Sequence, residues 1–381
     1  MGLQIWRMAY VTFFYDYMKE IVFIGSGLSS GGAEHQCSQL MNMLVERGYN
    51  VTYASFGDVK DHYLVSPLVK RVQLAPEKST SRKILAVELY LLRVKADVVF
   101  AFSQRLSVLT LFPMLLRQKV KVISGERNFT ISEPDKFERI LVKTGIYKRA
   151  NCIVPNNYSQ GRYLAEKMPS IKKKIKVITN YTDINLYQSS PVPNNEITRL
   201  GVFCRFEEQK NFHRFIEAVY LLRREVERPF RIDWYGNRCF KSQMQKDYYE
   251  KGTEMIQECH LDDVLFLHDA TKDVPKLIPQ FDALCLPSLH EGFSNSISEY
   301  ICCGRPVICS DVSDNSVMVH KGENGFLFDP LDANDILRAI KQYMSTSKEE
   351  RSAMGVKSRE IAESLFDRDR FISDYIHLIE A

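Results

Sequence analysis

The stretch from Phe281 to Asp311 constrains the fold more than any other part of the chain. An apolar run, Phe281 to Leu286, stops at Pro287, as a strand stops at a residue with no amide hydrogen to give. A short loop containing Gly292 leads to Ser294, Asn295 and Ser296, three residues able to cap a helix start. The helix predicted next carries Ile297, Tyr300 and Ile301 on one face. It ends at Gly304, which suits the left-handed position after a helix. Arg305-Pro306 cannot extend it, and Val307-Ile308-Cys309 reads as the next buried strand. Strand, loop, helix and strand make one unit of an α/β layer. The loop opens at a helix start, where amides and partial positive charge suit a phosphate group.

Two carboxylates flank that loop. Glu291 lies before the helix and Glu299 about one turn inside it. Acids beside a phosphate site are unfavourable unless they accept hydrogen bonds, and sugar hydroxyls give them. A ligand with phosphates in the middle and hydroxyls on both sides is a nucleotide-sugar. Plainer readings stand equally at this point: Ser296 to Glu299 fits a capping box, and Glu291 can be a solvated loop charge.

Composition narrows the class. A chain of 381 residues is long for one core, so two domains are expected. No apolar run approaches the ~20 residues of a membrane-spanning helix; the run from Leu106 to Leu116 is broken by Pro113 and reads as a buried helix. The nine cysteines form no C-x-x-C pair and read as reduced residues of a cytosolic protein, with neither disulfides nor zinc. Charge is uneven: residues 1–180 hold 27 Lys+Arg against 14 Asp+Glu, a net of +13, and residues 181–381 hold 24 against 33, a net of −9. The basic half favours an anionic membrane surface or a phosphate-bearing acceptor; nucleic acid is not expected, since aromatics do not interleave the basic runs.

Residues 1–17 read as an extension outside the fold, without the pattern of a signal peptide. Met18-Lys19-Glu20 leads into a first strand, Ile21 to Gly25. The small-residue loop from Gly25 to Gly32 and a helix from Ala33 to Leu44 follow, then a second strand at Val51 to Ala54. A dinucleotide fingerprint would need glycine in place of Ser30 and an acid closing the second strand; Asp58 comes only after Gly57, so nicotinamide cofactors are set aside. Further strands read at Asp97–Phe102, Val120–Ser124 and Cys152–Pro155, with Gly125-Glu126-Arg127-Asn128 ending the second of these. Glu126 and Arg127 at that strand end suit either an acceptor contact or a structural salt bridge. The run Lys172 to Lys176 suits either anionic lipid or an exposed approach to a strand. Residues 183–196, polar and with Pro191 and Pro193, read as the interdomain linker. Beyond it, the strand Arg199 to Cys204 ends in Arg205, with Lys210-Asn211 in the following loop. Two cations at a strand end can neutralise a departing diphosphate without a metal; the alternative is an Arg205 pair with Glu207 or Glu208. Further strands read at Phe230–Tyr235 and Val264–His268. His268 and His290 are ordinary loop or core histidines by default, although the place of His290 beside Glu291 also suits a substrate contact.

Several of these stretches together resemble the retaining glycosyltransferases of family 4, of the kind that builds bacterial surface polysaccharides. Glu291 and Glu299 stand at the spacing of the E-x7-E signature, within P-S-x-x-E-G-F and before G-x-P-V-I-x-S-D. Gly31-Gly32-Ala33-Glu34 resembles the family's G-G-A-E loop, and Ser124-Gly125-Glu126-Arg127-Asn128 is similar to its S-E-R-N strand end. Arg205 with Lys210-Asn211 matches G-R-x4-K-N, although Val202-Phe203-Cys204 intervene after Gly201. Phe102-Ser103-Gln104 stands where many members have a histidine.

The resemblance implies an α/β protein of GT-B architecture, two Rossmann-like domains with parallel sheets facing a central cleft. The expected division is an acceptor domain at 18–182, a linker at 183–196, a donor domain at 197–360 and a helix at 361–381 packing back on the first domain. It implies transfer of a hexose or N-acetylhexosamine from a nucleotide-sugar, expected to be a UDP-sugar, to a saccharide acceptor carried on a lipid diphosphate, at the inner face of the cytoplasmic membrane. Arg205, Lys210 and Glu291 would be catalytic. The donor would also meet Gly292, Phe293, Ser294, Asn295 and Glu299, and the acceptor side would hold Gly31, Gly32, Glu34, Glu126 and Arg127. No cofactor or metal is expected. A sugar-nucleotide epimerase on the same fold and a non-catalytic nucleotide-sugar binder are the alternatives, separated by product analysis with and without acceptor.

Overall fold

Short apolar strands alternating with helices assemble into two six-stranded parallel sheets. The computed structural model describes residues 19–28, 31–56, 62–74, 79–112, 120–127, 136–193, 195–240 and 242–381. The chain divides into two units, one of residues up to Asn180 with Asp369–Ala381, the other of Tyr181–Arg368.

The first sheet holds β1 (Glu20–Gly25), β2 (Asn50–Ser55), β3 (Lys70–Gln73), β4 (Val98–Ala101), β5 (Lys121–Glu126) and β6 (Cys152–Pro155), in the order β3-β2-β1-β4-β5-β6. The second holds β7 (Thr198–Phe203), β8 (Phe230–Gly236), β9 (Leu265–Asp269), β10 (Ala283–Leu286), β11 (Val307–Ser310) and β12 (Gly325–Phe328), in the order β12-β11-β10-β7-β8-β9. Both follow one plan: the first three strands run outward in one direction, and the fourth returns beside the first. The sheet order therefore reverses between β1 and β4 and between β7 and β10. Ligands of such sheets bind at the strand ends beside that reversal.

Burial on both faces explains why the central strands are continuous apolar runs. In the first unit Phe23 and Phe100, opposite each other in the β1–β4 register, stack with ring centroids 4.7 Å apart. In the second, Phe206, Phe212 and Phe215 surround the fully buried Trp234, whose indole N–H donates to Cys204 O at 3.0 Å. That bond satisfies the one polar atom the cluster buries.

Some elements escape sequence reasoning. β3 reads K-R-V-Q and is mostly exposed; as an edge strand it pairs on one side only, so its charges face water. The helix Thr80–Arg93 is apolar on more than one side, which blurs its period, and the helix Gln243–Glu258 buries only Gly252 and Ile256. β5 runs on through Gly125 and ends at Glu126, two residues beyond the expected Ser124. The helix beginning at Gln104 runs to Leu111 with Phe112 after it; residues 113–116 of its expected course lie outside the described residues, as do residues 1–17, Ser30, Asp58 and Asn128.

Residues 183–196, read as a linker, lie in the second unit. Arg359 donates to Ile184 O, Tyr187 O and Cys302 O, and the buried Arg305 donates to Ser190 O and Ser190 Oγ. The two arginines thus bind this polar segment and also take carbonyls at the end of the helix Asn295–Cys302, where cations are favoured. The chain returns to the first unit at Asp369, and the helix Arg368–Glu380 is tied to it by Lys19 Nζ–Glu380 Oε2 at 2.9 Å and by an Arg47–Asp369 pair. All nine cysteines are free thiols; Cys239 is exposed, Cys204 and Cys259 are partly buried and the others are buried.

Candidate active site

In the second unit two loops leave the sheet on either side of its reversal, one after β7 and one after β10. They are sewn together by Gln209. Its carbonyl accepts the Leu289 N–H at 2.8 Å, and its side-chain amide donates to His290 O at 3.0 Å. One residue on, Lys210 Nζ meets Glu291 Oε1 at 2.6 Å, with both side chains about nine-tenths buried. Two residues assigned to catalysis from different stretches of sequence are thus one ion pair. A pair so placed is held by geometry as well as charge, and removing either partner strands the other in a poorly solvated position.

Arg205 stands at the outer side of the same loop. It pairs with Glu207 at 3.0 Å while its own side chain stays 53% exposed. The alternative considered for this arginine is therefore realised, but an exposed pair contributes little and yields readily to a doubly charged ligand. Asn211 follows with φ 58° and donates to Pro330 O at 2.7 Å, which fixes the turn from loop into the helix Phe212–Glu225.

The helix Asn295–Cys302 is capped by Ser294, whose Oγ accepts the Ile297 N–H. Ser296 is therefore inside the helix, and its hydroxyl donates to Phe203 O at 2.6 Å, tying the helix to the end of β7. A capping box from Ser296 to Glu299 is ruled out by that register. Glu299 instead accepts a hydrogen bond from the Tyr187 hydroxyl. Burial pushes its carboxyl up to about 7, and the Tyr187 bond pulls the other way. Tyr300, in the same helix, sends its hydroxyl to the space a Cβ on Gly201 would occupy, 2.0 Å from that position. This is why glycine stands mid-strand in β7. Gly304 ends the helix with φ 67°, as its position requires.

The remaining candidates of this unit lie in the same loop. Gly292 and Asn295 are partly exposed, and Ser294 and Phe293 are buried, with Phe293 edge-on to Phe366 at 6.4 Å. His268 is engaged elsewhere: its Nε2 contacts the buried Asp233 at 2.7 Å, while Arg231 grips the same carboxylate with two bonds. Burial lowers the His290 pKa.

Sequence reasoning overlooked three residues here. Gln209 lies inside R-x4-K with nothing to mark it. Tyr187 comes from the polar segment read as a linker. Ser313 adopts φ 53°, a conformation that costs a non-glycine residue energy, and its Oγ accepts the Glu291 N–H at 3.3 Å. Its D-V-S-D-N context is a turn signal after a strand and was the one available clue.

The first unit treats its candidates differently. Glu34 is partly buried, its carboxylate folded over Gly31 so closely that a Cβ there would fall 2.0 Å from Oε2; Gly32, which opens the helix Gly32–Glu46, is exposed. Glu126 is fully buried and accepts the Tyr147 hydroxyl. Arg127 is buried with its guanidinium 3.9 Å from the Phe102 ring centroid, and it donates to Tyr375 OH at 2.8 Å and Asn180 Oδ1 at 3.5 Å. Phe102, one of the three residues standing where many members of the resembling family have a histidine, thus serves as a platform for Arg127. No group of acidic, histidine or cysteine side chains suited to a metal occurs among the described residues.

Residues 189–361, within the second unit, match the family model described as Glycosyl transferases group 1. The lipopolysaccharide core biosynthesis glycosyltransferase LpsE of Rhizobium meliloti (strain 1021) is 23% identical over 372 residues, covering 92% of this chain and 96% of its own. The N-acetylgalactosamine-N,N'-diacetylbacillosaminyl-diphospho-undecaprenol 4-alpha-N-acetylgalactosaminyltransferase of Campylobacter jejuni is 22% identical over 350 residues, covering 86% of this chain and 90% of its own. Among solved structures, Anabaena Alr3699/HepE in complex with UDP and glucose superimposes with a TM-score of 0.79 at 18% identity, over 95% of this chain and all of that one. The likeness shows the fold, the two-sheet α/β architecture of GT-B glycosyltransferases.

Proposed function

We propose that this protein is a retaining glycosyltransferase of family 4 that takes a sugar from a UDP-sugar. The acceptor we propose is a saccharide on a lipid diphosphate, of the kind used in surface polysaccharide assembly. One observation carries the donor reading: Lys210 and Glu291, joined across the β7 and β10 loops beside a capped helix start, with Arg205 next to them. Phosphates gain from the two cations and the helix amides, and the hydroxyls of sugar and ribose gain from the two carboxylates. The neighbour whose solved complex contains UDP and glucose supports the nucleotide, and the Campylobacter relative, whose name contains diphospho-undecaprenol, supports the acceptor class.

In this reading Arg205 and Lys210 stabilise the leaving diphosphate as its charge grows. Lys210 keeps Glu291 turned toward the sugar hydroxyls, and Glu299 accepts from the ribose. The acceptor hydroxyl attacks from the face the diphosphate leaves, and a phosphate oxygen takes its proton. That requires neither a protein nucleophile nor a metal ion, so turnover persists in EDTA. Gly31, Gly32 and Glu34 belong to the acceptor side. Glu126 and Arg127 support that side from within, through Tyr147 and Phe102.

The test is calorimetric titration of UDP into the wild-type protein and into Arg205→Ala and Lys210→Ala, followed by turnover of UDP-sugars with a lipid-linked acceptor. Loss of both binding and transfer in the variants is the expected result. Wild-type affinity for UDP in either variant overturns the donor assignment. UDP release without acceptor glycosylation across an acceptor panel, with a changed sugar recovered, would instead identify an epimerase.

A further inference from the structure

The helix Thr80–Arg93 is apolar on two opposite sides. Val87 and Leu91, one turn apart, are buried in the first unit's core. Leu85, Leu89 and Leu92 repeat at i, i+4 and i+7 on the other side and are 56%, 44% and 53% exposed. An outward stripe of leucine has no use in a helix that merely covers a sheet, where the outer side is polar. Arg82 in the first turn and Arg93 in the last lie exposed at the two ends of this stripe, and Lys95 is exposed just beyond it. The helix contains one acid, Glu88, which is partly buried.

We infer that this outer side docks on an anionic lipid bilayer, with the three leucines entering the acyl boundary and Arg82, Arg93 and Lys95 meeting lipid phosphates. Two arguments select a bilayer over a protein. Three half-exposed leucines fall far short of the ~800 Å² that each partner of a stable protein interface buries. A leucine stripe rimmed by arginine and lysine is what interfacial helices use, and the +13 net charge of residues 1–180 adds attraction to anionic headgroups. The surface deepens the proposed reading by showing how an enzyme without a spanning helix among its described residues would reach a lipid-linked acceptor.

The experiment is co-sedimentation of the full chain with vesicles of phosphatidylglycerol and phosphatidylcholine in equal parts, and with phosphatidylcholine alone. Wild type is expected to sediment with the anionic vesicles and to be released by salt. Leu85→Ser, Leu89→Ser and Leu92→Ser combined should weaken this by about tenfold or more. Arg82→Ser, Arg93→Ser and Lys95→Ser combined should abolish the preference for anionic over neutral vesicles. Unchanged sedimentation of the leucine variant overturns the inference, as does a wild type that ignores both vesicles. A leucine variant whose monomer–dimer equilibrium shifts by light scattering also overturns it, because the stripe then joins two copies. Should the triple variant fail to fold, Leu89→Trp keeps the site apolar. Its added emission must shift to the blue and be quenched by brominated lipid when anionic vesicles are present; absence of both sinks the idea. The assay needs no substrate, so its failure leaves the UDP-binding test of the transfer reading untouched.

Discussion

The two units have the same strand order and spend their charged residues in opposite ways. At the strand ends of the second, Arg205 is exposed, Lys210 and Glu291 pair with each other, and Glu299 is held by one hydroxyl. On the proposed reading these groups face the donor: Arg205 would give up its exposed pair for the diphosphate, and the Lys210–Glu291 pair and Glu299 would meet the ligand's hydroxyls and phosphates. At the strand ends of the first, Glu126 and Arg127 are buried and bound to Tyr147, Phe102, Asn180 and Tyr375. Those side chains hold the scaffold. One topology thus supports two chemistries, and exposure combined with the kind of partner tells them apart.

The comparison breaks if the second unit's cations prove structural. Lys210→Met should lower kcat/KM by roughly 100-fold or more, as loss of a leaving-group donor does, and Arg205→Ala should do the same with an unchanged melting temperature. A near-wild-type rate with lowered stability would move both residues into the class of Arg127. The converse test is Arg127→Ala, which loses a ring contact and two hydrogen bonds. It should cost about 2–4 kcal/mol in denaturant unfolding and leave UDP affinity unchanged. Full stability with lost acceptor turnover would instead return Arg127 to the acceptor site.

Smaller effects sharpen the picture. Gly201→Ala forces a Cβ against the Tyr300 hydroxyl and should destabilise the second unit by about 1–3 kcal/mol. A wild-type unfolding curve would mean Tyr300 rearranges freely.

The pH prediction follows from Glu299. Its carboxyl is raised to about 7, so the folded protein takes up a proton between the ordinary carboxylate range and neutrality, and the ionised form costs stability above about 7. Glu299→Gln should therefore raise the melting temperature at pH 8 and leave it nearly unchanged at pH 5. On the proposed reading the ionised Glu299 accepts from the ribose, so wild-type affinity for UDP should fall as pH drops below 7, and the variant's weaker affinity should be flat. Tyr187→Phe removes the bond favouring the ionised form and should shift this fall to higher pH, the smallest change of the set. A pH-independent wild type would detach Glu299 from the ribose.

Much of the second unit was legible before folding. Its strands are uniform apolar runs, its turns carry proline and glycine, and the helix at the loop has three small polar residues at its start, so local chemistry and the final structure agree from Phe281 to Ser310. The pairing of Lys210 with Glu291 was not legible. Both were picked out, but 81 residues separate them. Only the adjacency of β7 and β10 brings them within 2.6 Å. Ser296 shows a subtler limit. As a cap it would have explained Glu299 away, and one register choice, made by the Ser294 cap and the bond to Phe203 O, decided otherwise.

Local pattern was enough to establish the α/β alternation, the opposite charges of the halves and the cations and acids that deserved notice, because strand, helix and turn preferences act over a few residues. It could not establish that residues 183–196 would be bound into the second unit, that Arg127 would be buried, or that leucines would face outward from Thr80–Arg93. Those outcomes depend on which surfaces meet. Burial and hydrogen-bond partners are set by packing between segments far apart in the chain, and a side chain's chemistry is the same in sequence whether packing commits it to the scaffold or leaves it for a ligand.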